Sequence, residues 1–211
     1  MKYEKIRKQV LEAILEAVDL GLINGTSGNI ALQDDDESVI AITPSGIAYK
    51  TMQAQDIAIV DMNGKWIDGE YKPSSELPMH SAVIRARKDV KATVHTHGMF
   101  ATIAAMAGEL LPTTPPQAEF VPVNIVPFTM PGSNDLADIV VNTMGDGRAV
   151  LMKNHGMICC GKNMKAAMAA TIYIEEMAKT AYYAKLAGVY EPLPEEAVKK
   201  MKELIAADQA V

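Results

Sequence analysis

Turns too short to hold a crossover helix restrict the folds open to this chain more than any other feature. Val39–Thr43 and Ile57–Val60 are short β-rich runs, and Asp61-Met62-Asn63-Gly64-Lys65 reads as a hairpin turn. Ala149–Lys153 and Met157–Cys160 read as strands separated only by Asn154-His155-Gly156. Parallel neighbours need a connection of about a dozen residues or more, so strands linked this tightly pair antiparallel. Further strands are expected after the turn-rich NGTSGN and over Thr93–His97. Helical periods surround them. Tyr3, Ile6, Val10, Ile14 and Val18 predict a first helix that Gly21 stops. Others are expected from near Ser74–Ser75, with Met79, Ala82, Val83 and Ala86 inward, over Phe100–Ala107, and from Ser133 through about Met144. Two more cover Asn163 to Leu186 and about Pro194 to Ala206. The six prolines between Leu111 and Pro131 confine that stretch to loop and edge strand. With no repeat, low-complexity tract or linker, residues 1–211 read as a single domain with a largely antiparallel sheet flanked by helices.

Composition narrows the partners. Hydrophobic residues make up 49% of the 211, enough to bury a core. Against 26 acidic residues stand 20 Lys and Arg, a net charge of −6 with no basic block, which argues against nucleic acid and against an anionic membrane. Apolar runs are too short to span a bilayer. The start, MKYEKIRKQVLEAILEAV, spreads its charges along an apolar period, as a helix does and a signal peptide does not. Cys159 and Cys160 are adjacent and cannot staple a fold, which fits a reducing, cytoplasmic setting.

Chemistry can come from four histidines, His80, His95, His97 and His155. His95 and His97 stand two apart in TVHTHG. On a strand they share a face, so both imidazoles can converge on one cation; the plainer reading is two polar residues at a strand's exposed end. His155, in KNHGM, is a turn histidine when taken alone, and Gly156 permits close backbone approach there. Three histidines at strand ends form a set that leaves zinc an open position, the pattern of a catalytic site. Cys159 and Cys160 point to opposite faces and read as small buried residues.

Ser74 and Ser75 can cap a helix and cradle an anion at its start. Glu76 behind them is either a metal ligand and acid/base or an ordinary capping-box glutamate. His80, four residues on, shares its helix face and reads as a partner for Glu76 or as a structural histidine. Gly25-Thr26-Ser27-Gly28-Asn29 and Thr43-Pro44-Ser45-Gly46 are turns or anion nests. Neither matches a P-loop or a Rossmann fingerprint.

GTSGN, ITPSG, PSSE with His80, HTHG and KNHG follow in that order, and in this set the chain resembles the class II aldolase/adducin family from about residue 5 to 190. The resemblance implies a three-layer α/β fold, a central mostly antiparallel β-sheet flanked by helices. It implies a homotetramer with active sites near subunit interfaces. The activity implied is that of a lyase: a zinc-dependent aldolase reversibly cleaving L-fuculose 1-phosphate, as in fucose degradation, or a similar ketose 1-phosphate. Products would be dihydroxyacetone phosphate and L-lactaldehyde or a similar small aldehyde. By motif, His95, His97 and His155 would bind one Zn2+ per subunit, with Mn2+ or Co2+ as alternatives. Glu76 would be the fourth ligand at rest and the acid/base in turnover. Gly28, Asn29, Ser45, Gly46, Ser74 and Ser75 would hold the substrate phosphate, with Thr26 and Ser27 beside them.

Two departures leave the aldehyde open. Family aldolases of this type use a tyrosine proton donor after the HTH helix, where this chain reads LPTTPPQAEF with Pro116 in its place; Glu119 or a water would have to substitute. The tail ELIAADQAV lacks the aromatic residue that closes over substrate in such enzymes. Rival readings are a rhamnulose-1-phosphate or 5-deoxy-sugar phosphate aldolase, a 4-epimerase, a methylthioribulose-phosphate dehydratase or a decarboxylase on the same metal site. Further off stand a Schiff-base aldolase using Lys153, a zinc hydrolase and a non-catalytic adducin-like binding module.

Overall fold

Side-chain alternation along eight short strands fixes the layering. They are β1 (Asn29–Gln33), β2 (Val39–Ile42), β3 (Ala58–Asp61), β4 (Trp66–Asp68), β5 (Ala92–Thr96), β6 (Asn124–Val126), β7 (Ala149–Met152) and β8 (Gly156–Gly161). The structure, a computed structural model, describes residues 1–208, so the last three residues of the tail lie outside it. The strands form one sheet in the order β4-β3-β2-β1-β5-β8-β7-β6. Every pairing is antiparallel except that of β6 with β7. Ile30 and Leu32 of β1 enter the core on one face and Ala31 the core on the other. Cys159 and Cys160 split between the faces in the same way, both fully buried.

Helices α1 (Glu4–Asp19), α3 (Met99–Ala107) and α5 (Met164–Leu186) cover one face. Helices α2 (Leu77–Ala86) and α4 (Asn134–Met144) cover the other, which completes three layers. The last helix, α6 (Glu195–Asp208), packs on a 3-10 turn at Pro115–Phe120. Asn163 caps α5 by accepting from the Ala166 N–H at 2.9 Å, and Ser133 caps α4 by accepting from Leu136 at 3.1 Å. The inward side of α5, from Ala167 to Ala178, enters both cores on its face, which makes it a core helix.

Three sequence expectations need correction. Tyr3 precedes α1 in a left-handed conformation, φ 57°, and is exposed rather than inward. The second helix starts at Leu77, two residues after Ser75, because Ser74 Oγ already accepts the Glu76 N–H and Pro78 occupies the first turn. Its buried residues are Met79, His80, Ser81, Val83 and Ile84, while Ala82 is half-buried and Ala86 exposed. Finally, β5 ends at Thr96, so His97 stands just beyond the strand.

The sheet order has one consequence for chemistry. β5 lies between β1 and β8, with Asn29 opposite His95 and Thr96 opposite Met157. The β7–β8 hairpin, in which Met152 pairs with Gly156, turns at the same end. Residues scattered over more than half the chain thus meet at one end of the sheet.

Candidate metal centre and anion cradle

His95 is fully buried at the end of β5. Its Nδ1–H donates to the Met157 carbonyl on β8 at 2.8 Å. That bond leaves the lone pair on Nε2, which lies 2.9 Å from Nε2 of His97. His97 sits at the exposed rim. His155 completes the set from the β7–β8 turn, where Asn154 takes φ 56°. Gly156 is obligatory in that turn, since a Cβ would run into the Thr96 carbonyl. Ring centroids are 4.8 Å apart for His95 with either neighbour and 5.1 Å apart for His97 with His155. One nitrogen from each ring lies within 4.8 Å of the others.

The donor set fits a divalent transition metal. Burial lowers the pKa of all three rings, well below 6.5 for His95 and to about 4 for His155, with repulsion between the rings adding to the effect at His95 and His155. Neutral imidazoles are the form that ligates. Nδ1 of His155 is buried with no hydrogen-bond partner among the described residues.

Glu76 precedes α2 and lies outside this three-nitrogen cluster. It is buried, and one carboxylate oxygen, Oε2, has no partner among the described residues. Burial raises its pKa, and a hydrogen bond from the Gly132 backbone pulls it partly back. Gly132 fits only without a side chain, because a Cβ would stand 2.8 Å from the Ser75 carbonyl.

His80 does not support Glu76 through its ring. Its Nδ1 pairs with Thr93 Oγ1 and its Nε2 with Asn29 Oδ1, both at 2.6 Å. The ring is thus satisfied by β5 and β1, and not by Glu76. Burial pushes its pKa down to about 3.

The three small-residue runs are tied to one another. Thr43 N–H donates to the carbonyl of Ile30, beside Asn29, and the Thr43 carbonyl accepts from Ser74 N–H, while Ser45 N–H donates to the Lys72 carbonyl. Gly28 is tightly seated: a Cβ would stand 2.8 Å from the His95 carbonyl. The Tyr49 hydroxyl donates to the Gly28 carbonyl. Ser45, Gly46 and Ser75 are exposed, and Gly28, Asn29 and Ser74 are buried behind them. Ser27 is used up in its own turn, donating to the Asn24 carbonyl at 2.7 Å. Sequence reasoning missed Tyr49, Thr93 and Gly132. None carries a local signal, since each acts across a contact between distant segments.

Glu119 is exposed and lines a cleft with Asn124 and Lys202. Lys153 is exposed beside the hairpin.

Suppressed protonation predicts a stability profile. His80 and His155 have native pKa values below 6.5, so below that pH the unfolded chain takes up protons that the native state refuses. Stability of the metal-free protein should fall as pH drops from about 6.5 toward 4, by roughly 1.4 kcal/mol per pH unit for His80 alone. Urea midpoints across this window check it; a midpoint rising toward acid would contradict neutral imidazoles.

Comparisons with known proteins give the chain a family and its fold close relatives. Residues 8–182 match the family described as Class II Aldolase and Adducin N-terminal domain. The 5-deoxy-D-ribulose 1-phosphate aldolase of Bacillus thuringiensis serovar kurstaki is 36% identical over 203 residues, 95% of each chain. A solved L-fuculose 1-phosphate aldolase superposes with a TM-score of 0.90 at 31% identity, covering 98% of both chains. At 22% identity, the L-fuculose-1-phosphate aldolase of Thermus thermophilus shares the fold, with a TM-score of 0.77 over 90% of this chain and 98% of its own.

Proposed function

Because the chain belongs to the class II aldolase and adducin family, we propose that it is a zinc-dependent aldolase that reversibly cleaves a ketose 1-phosphate to dihydroxyacetone phosphate and a small aldehyde. The observation that carries this reading is the convergence of three imidazoles at the end of the sheet where Asn29 begins β1. His95, His97 and His155 would hold the ion. When bound, it would supply Lewis acidity to the ketose oxygens next to the bond that breaks.

The chain's own groups do the rest. Gly28, Asn29, Ser45, Gly46, Ser74 and Ser75 bind the phosphate through N–H and hydroxyl donors, which fixes the half of the substrate common to all such ketoses. Glu76 moves the proton. In cleavage it delivers a proton to the carbon that becomes C3 of dihydroxyacetone phosphate, while the C4 hydroxyl proton leaves to water as the aldehyde forms; in condensation both transfers reverse. A buried carboxyl with a raised pKa and an unpaired oxygen suits that task. Glu76 also has the chemistry of a fourth ligand at rest.

The exposed Lys153 lacks the apolar pocket a Schiff-base lysine needs. A non-catalytic adducin-like module would have no use for the intact histidine set. No helix among the described residues is long and apolar enough to cross a membrane. We place the enzyme in the cytoplasm as a homotetramer with sites near subunit interfaces, the arrangement implied by the family resemblance.

The three named relatives carry two different ketose 1-phosphates in their names. With Pro116 where a tyrosine is expected, 5-deoxy-D-ribulose 1-phosphate stands beside L-fuculose 1-phosphate as substrate. Zinc-loaded protein should release dihydroxyacetone phosphate from one or both, lose that activity to a chelator and regain it with Zn2+. Fully metallated protein that releases none from a panel of ketose 1-phosphates would end the proposal.

A further inference from the structure

We propose that His80 is a positioning residue. As its Nε2–H tautomer it turns the Asn29 carboxamide so that the NH2 group, and not the oxygen, faces the phosphate cradle. The inference rests on the phosphate role proposed above for Asn29 and adds the device that sets the polarity of that residue.

His80 is wholly buried and bonds three elements together: its own helix α2, Thr93 on β5 and Asn29 on β1, each contact at 2.6 Å. A neutral imidazole has one N–H and one lone pair. A carboxamide oxygen only accepts. With Oδ1 of Asn29 on the ring, Nε2 must carry the hydrogen, and Nδ1 must accept from the Thr93 hydroxyl. The relay therefore runs one way, from Thr93 O–H to Nδ1 and from Nε2–H to Oδ1. Complete burial with no carboxylate among its partners keeps the ring singly protonated. The reversed relay has Nδ1–H donating to Thr93 and the Asn29 amide donating to Nε2. It would turn the carboxamide oxygen outward, where its lone pairs repel an anion. The two polarities have opposite consequences for phosphate, and a buried ring chooses between them with no charge of its own.

Long-range 1H–15N correlation on histidine-labelled protein reads the tautomer, and calorimetric titration with inorganic phosphate reads the cradle. Wild type is expected to show His80 protonated at Nε2. His80→Phe should weaken phosphate binding by about tenfold to a hundredfold, the size of a lost hydrogen bond to a charged group. His80→Gln, whose amide can still donate to Oδ1, should restore most of it. KM for the ketose 1-phosphate should rise in His80→Phe with little change in kcat or metal content. Asn29→Ala should add no further loss in the His80→Phe background. Should His80→Phe fail to fold, Thr93→Val removes the hydroxyl that holds Nδ1 as acceptor and should weaken phosphate in the same sense. A His80 ring protonated at Nδ1 overturns the proposal. So do folded His80→Phe or Thr93→Val variants that bind phosphate as wild type does. Wild type that binds no phosphate at all would instead overturn the cradle, and this inference with it.

Discussion

His155→Ala is expected to abolish metal retention and ketose phosphate cleavage together, with the fold nearly untouched. The β7–β8 hairpin that carries His155 is held by backbone pairing from Ala149–Cys159 to Met152–Gly156, and Nδ1 of the ring has no protein partner to lose among the described residues. The stability of the metal-free chain should therefore barely change. The candidate metal site would lose one of its three nitrogens. Replacing even a residue that merely supports a ligand costs about ten- to a hundredfold in affinity, so loss of a ligand itself should cost at least about a hundredfold. Metal per chain after dialysis, read beside the urea midpoint, measures both halves. A variant that keeps one tightly held ion would show that the three rings are not the site.

The second large effect is expected at Glu76→Gln. General acid/base catalysis contributes about a hundred- to ten-thousandfold, and kcat should fall by that order while phosphate binding persists. The same change should help the metal-free fold. Burial raises the Glu76 pKa, so the native state disfavours its charge. The penalty is absent below the ordinary value of 4.5 and grows as pH rises through the native pKa. Metal-free Glu76→Gln should therefore match wild type in acid and exceed it in thermal midpoint at pH 8. A variant with wild-type turnover would remove Glu76 from the reaction.

Local rules explain why much of this was legible in the chain. Helix stops such as Gly21, the Ser133 and Asn163 caps, and the Asp61–Lys65 turn are made by neighbours in sequence, where propensity and spacing operate. The HTH spacing and KNHG pointed to three histidines that do meet at one end of the sheet. What stayed hidden depends on segments brought together by the sheet. Spacing on a helix paired His80 with Glu76, yet its ring bonds go to Thr93 and Asn29, which β5 and β1 carry into reach. Gly132 acts on Glu76 and Ser75 from a proline-rich loop whose path no periodicity describes. The start of α2 slipped by two residues because Pro78 fits the first turn and Ser74 spends its side chain on the Glu76 N–H.

The central place of β5 has a consequence for how the protein is made. A growing polypeptide can lay β5 against β1 once Thr96 has left the ribosome, but the strand's other edge waits for β8, which ends only at Gly161. Until then a nascent chain exposes an unsatisfied row of amides and carbonyls, the surface that invites a stray strand from another molecule. His155 belongs to the same late segment, so a metal held by the three histidines could be bound only as a finishing step and could not rescue a chain stalled before it.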